Sequence, residues 1–149
     1  MEREKLNLTP EDGYRALQGH LVDKAKLARE RYGPAFSAMD VVAMLEDRDI
    51  VRHPTQLVYD SSKLQEGEFA LAIPVEGSDP RAYELVVHEH FRGRESDLAF
   101  MVGYHIPTIN YLDIVTHAEA EMFGAALLGI EVEVYYERIC QRADELEAS

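Results

Sequence analysis

The sequence has no tryptophan, a single cysteine and comparatively few basic residues. Because Cys140 stands alone, the chain can form neither an internal disulfide nor a cysteine-based zinc cage. Its apolar runs, such as 41–45 and 125–128, are far shorter than the roughly 20 residues of a membrane helix. The charged start, Met1–Lys5, leads into no apolar segment, so we expect no signal peptide and a cytoplasmic location.

Basic residues are also outnumbered, with 15 lysines and arginines against 28 aspartates and glutamates and a formal net charge of −13. A surface this negative repels phosphate backbones and anionic lipid heads. The basic residues are scattered, so we expect neither a nucleic-acid partner nor a membrane partner. With 46% apolar and 29% charged residues, the composition is typical of a globular protein, and we expect one soluble domain spanning 1–149.

Two helices are predicted in the N-terminal third. Thr9 is a natural N-cap with Asp12 three positions later, and Gly33 ends the helical spacing that follows. Ser37 and Asp40 repeat the same capping pattern at the start of a second, shorter helix.

Beyond residue 55 the apolar residues alternate, which predicts strands. These predicted strands are 56–60, 69–75, 83–91 and 98–104. Short turns between them favour an antiparallel meander of about four strands. Pro74 cannot donate to a ladder and predicts that its strand lies at an edge or bends.

Helical spacing returns after Pro107 and predicts two C-terminal helices, from about 108 to 128 and from 132 to 146. Residues 130–136 also alternate, so a fifth strand stays open there. Two helices, a sheet of about four strands and two further helices make this an α+β protein.

Alternation also sorts the predicted sheet into two faces. If residues 75 and 83 flank the first hairpin, Glu68 lies opposite His90 and Ala70 lies opposite His88. The face that carries the two histidines is a floor of small side chains, with room above it for a ligand, a helix or a second subunit. The opposite face is bulky, and four of its residues are expected to be almost fully buried beneath helices: Leu71, Ile73, Val87 and Phe100.

The most suggestive local motif is His88-Glu89-His90. Two histidines two positions apart on a strand project from one face about 7 Å apart, a spacing that suits metal-bound imidazoles. Glu68 on the neighbouring strand is the best third ligand, for zinc or a similar divalent ion. The alternative is that both imidazoles are solvated or line an interface.

A second candidate is the pair His117 and Glu121. Residues four apart share one helix face, a geometry that supplies metal ligands in helix bundles. The alternative is a solvated helix face on which the two side chains form a weak pair.

Three functions remain open from the sequence. The first is a non-catalytic domain that acts by self-association, with a homodimer expected, or by binding a protein or a small ligand. The second is a metal-binding protein, which includes a metal-assisted hydrolase with Glu121 or Glu84 as general base. The third is a helix–turn–helix regulator built on the last two helices, which the acidic residues 131, 133 and 137 argue against.

Overall fold

The computed structural model describes residues 9–148, so the charged start of the chain and Ser149 lie outside the described range. Within this range the protein is α+β, with five α-helices and one three-stranded sheet. In chain order the elements are α1 (Pro10–Tyr32), α2 (Ala38–Leu45), β1 (Thr55–Tyr59), β2 (Ala70–Pro74), β3 (Tyr83–Val87), α3 (Glu95–Tyr111), α4 (His117–Leu128) and α5 (Val132–Ala148).

The first two helices begin where their capping residues predict. The hydroxyl of Thr9 accepts from the backbone N–H of Asp12 at 3.1 Å, and the Asp12 carboxylate accepts from the N–H of Thr9 at 3.1 Å. Ser37 and Asp40 exchange the same two bonds at the start of α2. Each reciprocal pair satisfies backbone donors that a helix N-terminus would otherwise leave unpaired.

The sheet is mixed, and the predicted antiparallel meander is wrong. The strand order is β1-β3-β2, with β1 parallel and β2 antiparallel to β3. β3 occupies the centre because almost all of its side chains are apolar and buried, as a strand covered on both faces requires. β2 ends at Pro74 and lies at an edge, which confirms the position predicted from the missing donor.

The register of the hairpin differs by one residue from the predicted one. Ala70 pairs with Val87, and Ala72 pairs with Leu85. Because side chains alternate along a strand, a one-residue shift in register moves the side chains of one strand to the opposite face of the sheet. The two alanines therefore share the core face with Leu85 and Val87, and His88 lies beyond the last pair.

The predicted fourth strand, 98–104, is also wrong, because these residues belong to α3. They form an unbroken run of apolar or small residues that fits the period of a strand and that of a helix equally well. A helix that is apolar all round must be buried, and α3 is buried on most of its circumference. The predicted 108–128 helix is accordingly divided between α3 and α4.

α3 is the central helix. It packs against β2 and β3, where Ala70 and Ala72 allow a close approach, and against α4 on its other side. α4 in turn contacts α1 and α5. The floor of alanines is thus covered by a helix.

Of the four side chains predicted to be almost fully buried, two are buried in the structure. Val87 and Phe100 are buried, whereas Leu71 and Ile73, on the opposite face of β2, are only partly buried. Residues 132–148 form α5, so the alternation at 130–136 makes no fifth strand in the described range. No helix within residues 9–148 is long and apolar enough to cross a membrane.

Candidate functional site

A cleft of about 500 Å³ opens between the edge strand β2 and the helices α3 and α4. It is lined by Leu71, Ala72, Tyr104, His105, Thr108, Val115, Thr116, His117 and Ala120. β2 contributes Leu71 and Ala72 to the lining, and α3 contributes residues from successive turns. We call this space the β2–α3–α4 cleft.

A tyrosine–histidine pair forms one wall of the cleft. The hydroxyl of Tyr104 lies 2.5 Å from Nδ1 of His117, and the two rings stack at 6.2 Å. When the hydroxyl donates to Nδ1, the ring proton is on Nε2, so His117 can donate and the Tyr104 oxygen can still accept. Burial raises the pKa of Tyr104, and the negative charge of Glu121 raises it further, which keeps the phenol protonated.

His105 is a neutral imidazole in the same lining. Burial lowers its pKa to about 4, because the charged ring would lose its hydration. Its Nε2 is buried and has no hydrogen-bond partner among the described residues. Phe69 packs edge-on against both His105 and Tyr104, at 5.8 Å and 6.1 Å between ring centres.

A buried carboxylate fixes the start of α4 beside the cleft. Glu119 is fully buried, and its Oε1 accepts from the N–H and the hydroxyl of Thr116, both at 2.7 Å. The hydroxyl of Tyr14 on α1 donates to Oε2. Burial alone would raise the pKa of Glu119, but these hydrogen bonds outweigh it and hold the pKa below its usual value. The carboxylate therefore positions His117, two residues earlier.

The His88-Glu89-His90 motif does not lie on a strand. β3 ends at Val87, and residues 89–91 form a short 3-10 turn. Nδ1 of His88 accepts from the backbone N–H of His90 at 3.1 Å and so caps this turn. Nε2 of His90 lies 3.0 Å from Oε1 of Glu145 on α5, which the sequence pattern did not single out.

An ionic cluster surrounds that contact. Arg94 donates to Glu145 at 2.5 Å and to Asp97 at 2.7 Å, and Arg142 donates to Asp97 at 2.8 Å. The hydrogen bond from Arg94 lowers the pKa of Glu145 to about 2, with a further contribution from His90. The cluster ties α5 to the start of α3, and its contacts between the two helices join residues 45 and 51 positions apart, which no local spacing indicates.

The five residues predicted as metal ligands belong to three parts of the chain. Oε1 of Glu68 accepts from the backbone N–H of Gln65 at 2.7 Å, before β2 begins. His88 and His90 belong to the turn after β3, and His117 and Glu121 lie on α4. Across residues 9–148, no three His, Cys, Asp or Glu side chains are grouped so that they could hold a metal ion.

Comparison with known proteins finds no matching family model, no similar curated protein and no similar solved structure. A larger hollow of about 700 Å³ lies between α2 and the ends of β1 and β3, but its lining has no histidine and no unpaired buried polar group. The β2–α3–α4 cleft combines volume with converging polar groups.

Proposed function

We propose that the protein binds a small, uncharged and largely apolar molecule in the β2–α3–α4 cleft. The observation that carries the proposal is the cleft of about 500 Å³, with the Tyr104–His117 pair in its wall. This volume falls within the range of about 300–1,000 Å³ for small-molecule sites, which join apolar walls to a few placed polar groups.

The lining determines the ligand class. It contains no lysine, arginine, aspartate or glutamate, so no opposite charge would compensate the desolvation of an ionic ligand. Leu71, Ala72, Val115 and Ala120 offer apolar contact. The Tyr104–His117 pair offers one donor and one acceptor, which suits a ligand with a single hydroxyl or carbonyl group.

A screen of small neutral alcohols, phenols and ketones by ligand-detected NMR tests the proposal. We expect hits whose binding is lost in Thr108→Phe, because the larger side chain fills the cleft. Tyr104→Phe removes one hydrogen bond and should weaken the same hits by about three- to tenfold.

Ser96→Phe is the matched control, because Ser96 is also exposed on α3 but does not line the cleft. It should bind the hits like the wild type. Absence of any hit, or equal binding by Thr108→Phe and wild type, would rule out the cleft as the binding site.

We also propose that the chain forms a homodimer through the outer face of α2. Met39 is 82% exposed and Val42 is 42% exposed, and Val42 lines the larger hollow together with Val75. A second copy carries the same net charge of −13, so contact between two copies needs an apolar surface rather than a charged one.

Sedimentation velocity at micromolar concentration tests the dimer. Wild type should sediment as a dimer, and Met39→Lys combined with Val42→Lys should sediment as the 16.9 kDa monomer. A clean wild-type monomer contradicts the proposal.

The cytoplasmic location stays a prediction from the sequence.

A further inference from the structure

A second, smaller pocket of about 100 Å³ shares no lining residue with the β2–α3–α4 cleft. It is lined by His20, Lys24, Arg48, Arg52, Asn110 and Tyr111. These residues come from α1, from the loop between α2 and β1, and from the end of α3. We call this space the cationic pocket.

Three cations converge there without a carboxylate partner. Lys24 donates to the carbonyl of Asp49 at 2.6 Å, and Arg52 donates to that of Asn110 at 3.2 Å. Arg48 donates to the carbonyls of Val51 and Leu45. Throughout residues 9–148, none of the three cations forms an ion pair with an acidic side chain. The lysines and arginines that form ion pairs there are Arg31, Lys63, Arg92, Arg94 and Arg142.

The hydrogen bonds to backbone carbonyls use only some of the donors of these side chains. A guanidinium has five N–H donors and an ammonium has three, so each head group keeps donors and its full charge. Acidic residues outnumber basic ones 28 to 15, yet none lines this pocket. The pocket is thus a local reversal of the charge of the whole chain.

One residue of this lining carries a buried hydroxyl that has no hydrogen-bond partner within the described chain. Tyr111 lines the pocket, and its Oη is buried without a hydrogen-bond partner in the part of the chain that the structure describes. An unpaired buried hydroxyl costs free energy, and a bound acceptor would remove that cost. The amide of Asn110 is already engaged, with the carbonyl of Ile50 and the N–H of Arg52.

The positive field extends beyond the pocket. Burial lowers the pKa of His53, and the charges of Arg52, Arg81 and Arg48 lower it further, because a charged imidazole there would be repelled. The same repulsion of cations is an attraction for an anion.

We propose that the cationic pocket binds a doubly charged tetrahedral oxyanion, either inorganic phosphate or the phosphoryl end of a small phosphoester. A pocket volume of about 100 Å³ leaves room for one such group. The Tyr111 hydroxyl donates to an anion oxygen, and Lys24, Arg48 and Arg52 supply charge-assisted hydrogen bonds.

Thermal unfolding with inorganic phosphate, glycerol phosphate and glycerol tests this site, against sodium chloride at matched ionic strength. We expect phosphate at tenfold its Kd to raise the Tm by roughly 3–6 °C by mass action. A larger rise with glycerol phosphate identifies a phosphoester as the ligand, and a larger rise with phosphate identifies the free anion. Glycerol should have no effect.

Variants tie the response to the pocket. Lys24→Gln and Arg48→Gln should each weaken phosphate binding by about tenfold or more. Lys26→Gln is the matched control, since it removes the same charge from an exposed position on α1 outside the pocket. Phosphorus-31 line broadening of inorganic phosphate measures binding directly, even where a variant is less stable.

Tyr111→Phe separates ligand binding from structure. Loss of the unpaired hydroxyl should leave the phosphate-free Tm equal or higher, while phosphate affinity falls by about three- to tenfold. The proposal is overturned if sodium chloride matches the effect of phosphate, or if Lys26→Gln reduces the response as much as Lys24→Gln does.

Discussion

Asp97 is a buried carboxylate that holds two arginines at once. Its Oδ2 accepts from Arg94 and its Oδ1 from Arg142, at 2.7 Å and 2.8 Å. Asp97→Asn removes the negative charge and leaves two guanidinium groups close together without it. We expect the free energy of unfolding to fall by about 3–5 kcal/mol, measured by urea unfolding.

The exposed pair of Glu89 and Arg92 gives the control. Both side chains are more than half exposed at a separation of 3.6 Å, so Glu89→Gln should change the free energy of unfolding by at most about 0.5 kcal/mol. If Asp97→Asn changes stability as little as Glu89→Gln does, the cluster around Asp97 does not stabilise the fold.

Single residues were predictable where the information is local. Thr9 and Asp12 form the expected capping box because a cap needs only a residue three positions away. His90 was assigned to a strand face, yet its partner is Glu145, 55 positions later in sequence. His117 was predicted to act together with Glu121 on its own helix, whereas its hydrogen-bond partner is Tyr104 of α3.

Gly124 allows α4 and α5 to approach closely. A Cβ at this position would lie 2.1 Å from the ring of Tyr135, which is fully buried and donates to the carbonyl of Phe100 at 2.5 Å. Gly124→Ala therefore forces the ring out of its place. We expect a loss of about 1–3 kcal/mol in the free energy of unfolding, despite the better helix propensity of alanine.

Gly19 on α1 offers the same substitution without the contact. It is exposed, and a Cβ there would meet nothing within 4 Å. Gly19→Ala should stabilise the protein by up to about 1 kcal/mol, because only the helix propensity changes. Circular dichroism melts of both variants give the comparison, and two shifts of the same sign would contradict it.

Helices and strands were predictable where the spacing of apolar residues fits only one period. α1 has polar and apolar faces and ends at the predicted residue, Tyr32. α3 has no polar face to reveal its period, since its neighbours cover it on several sides, and its apolar run was therefore assigned to a strand. The strand order depends on which strand is covered on both faces, a property of packing that short turns do not indicate.

Two cavities of the molecule differ in the charge of their linings. The β2–α3–α4 cleft has no lysine, arginine, aspartate or glutamate in its lining, whereas the cationic pocket collects three positive charges in a chain of net charge −13. α3 supplies residues to both, from its middle to the cleft and from its end to the pocket. Scattered basic residues in the sequence thus become a cluster only through the fold.

Stability should depend on pH in two ranges. Burial lowers the pKa of His105 to about 4 in the folded state, whereas the unfolded ring titrates near 6.5. The unfolded state therefore binds more protons between these values, so this contribution to stability falls as the pH drops from 6.5 toward 4. Glu145 has a folded pKa of about 2, so its contribution is present above pH 4.5 and is lost toward pH 2.

His105→Gln isolates the first range. Acidification also reduces the net negative charge and relieves repulsion, which acts in the opposite direction, so the informative quantity is the difference between variant and wild type. Between pH 6.5 and 4, the wild type should lose up to about 1.4 kcal/mol per pH unit relative to His105→Gln in urea unfolding. Parallel curves for His105→Gln and wild type would mean that the imidazole of His105 is not held neutral by burial.

The loss of stability below pH 4.5 should persist in His105→Gln, because it belongs to Glu145 and its bond from Arg94.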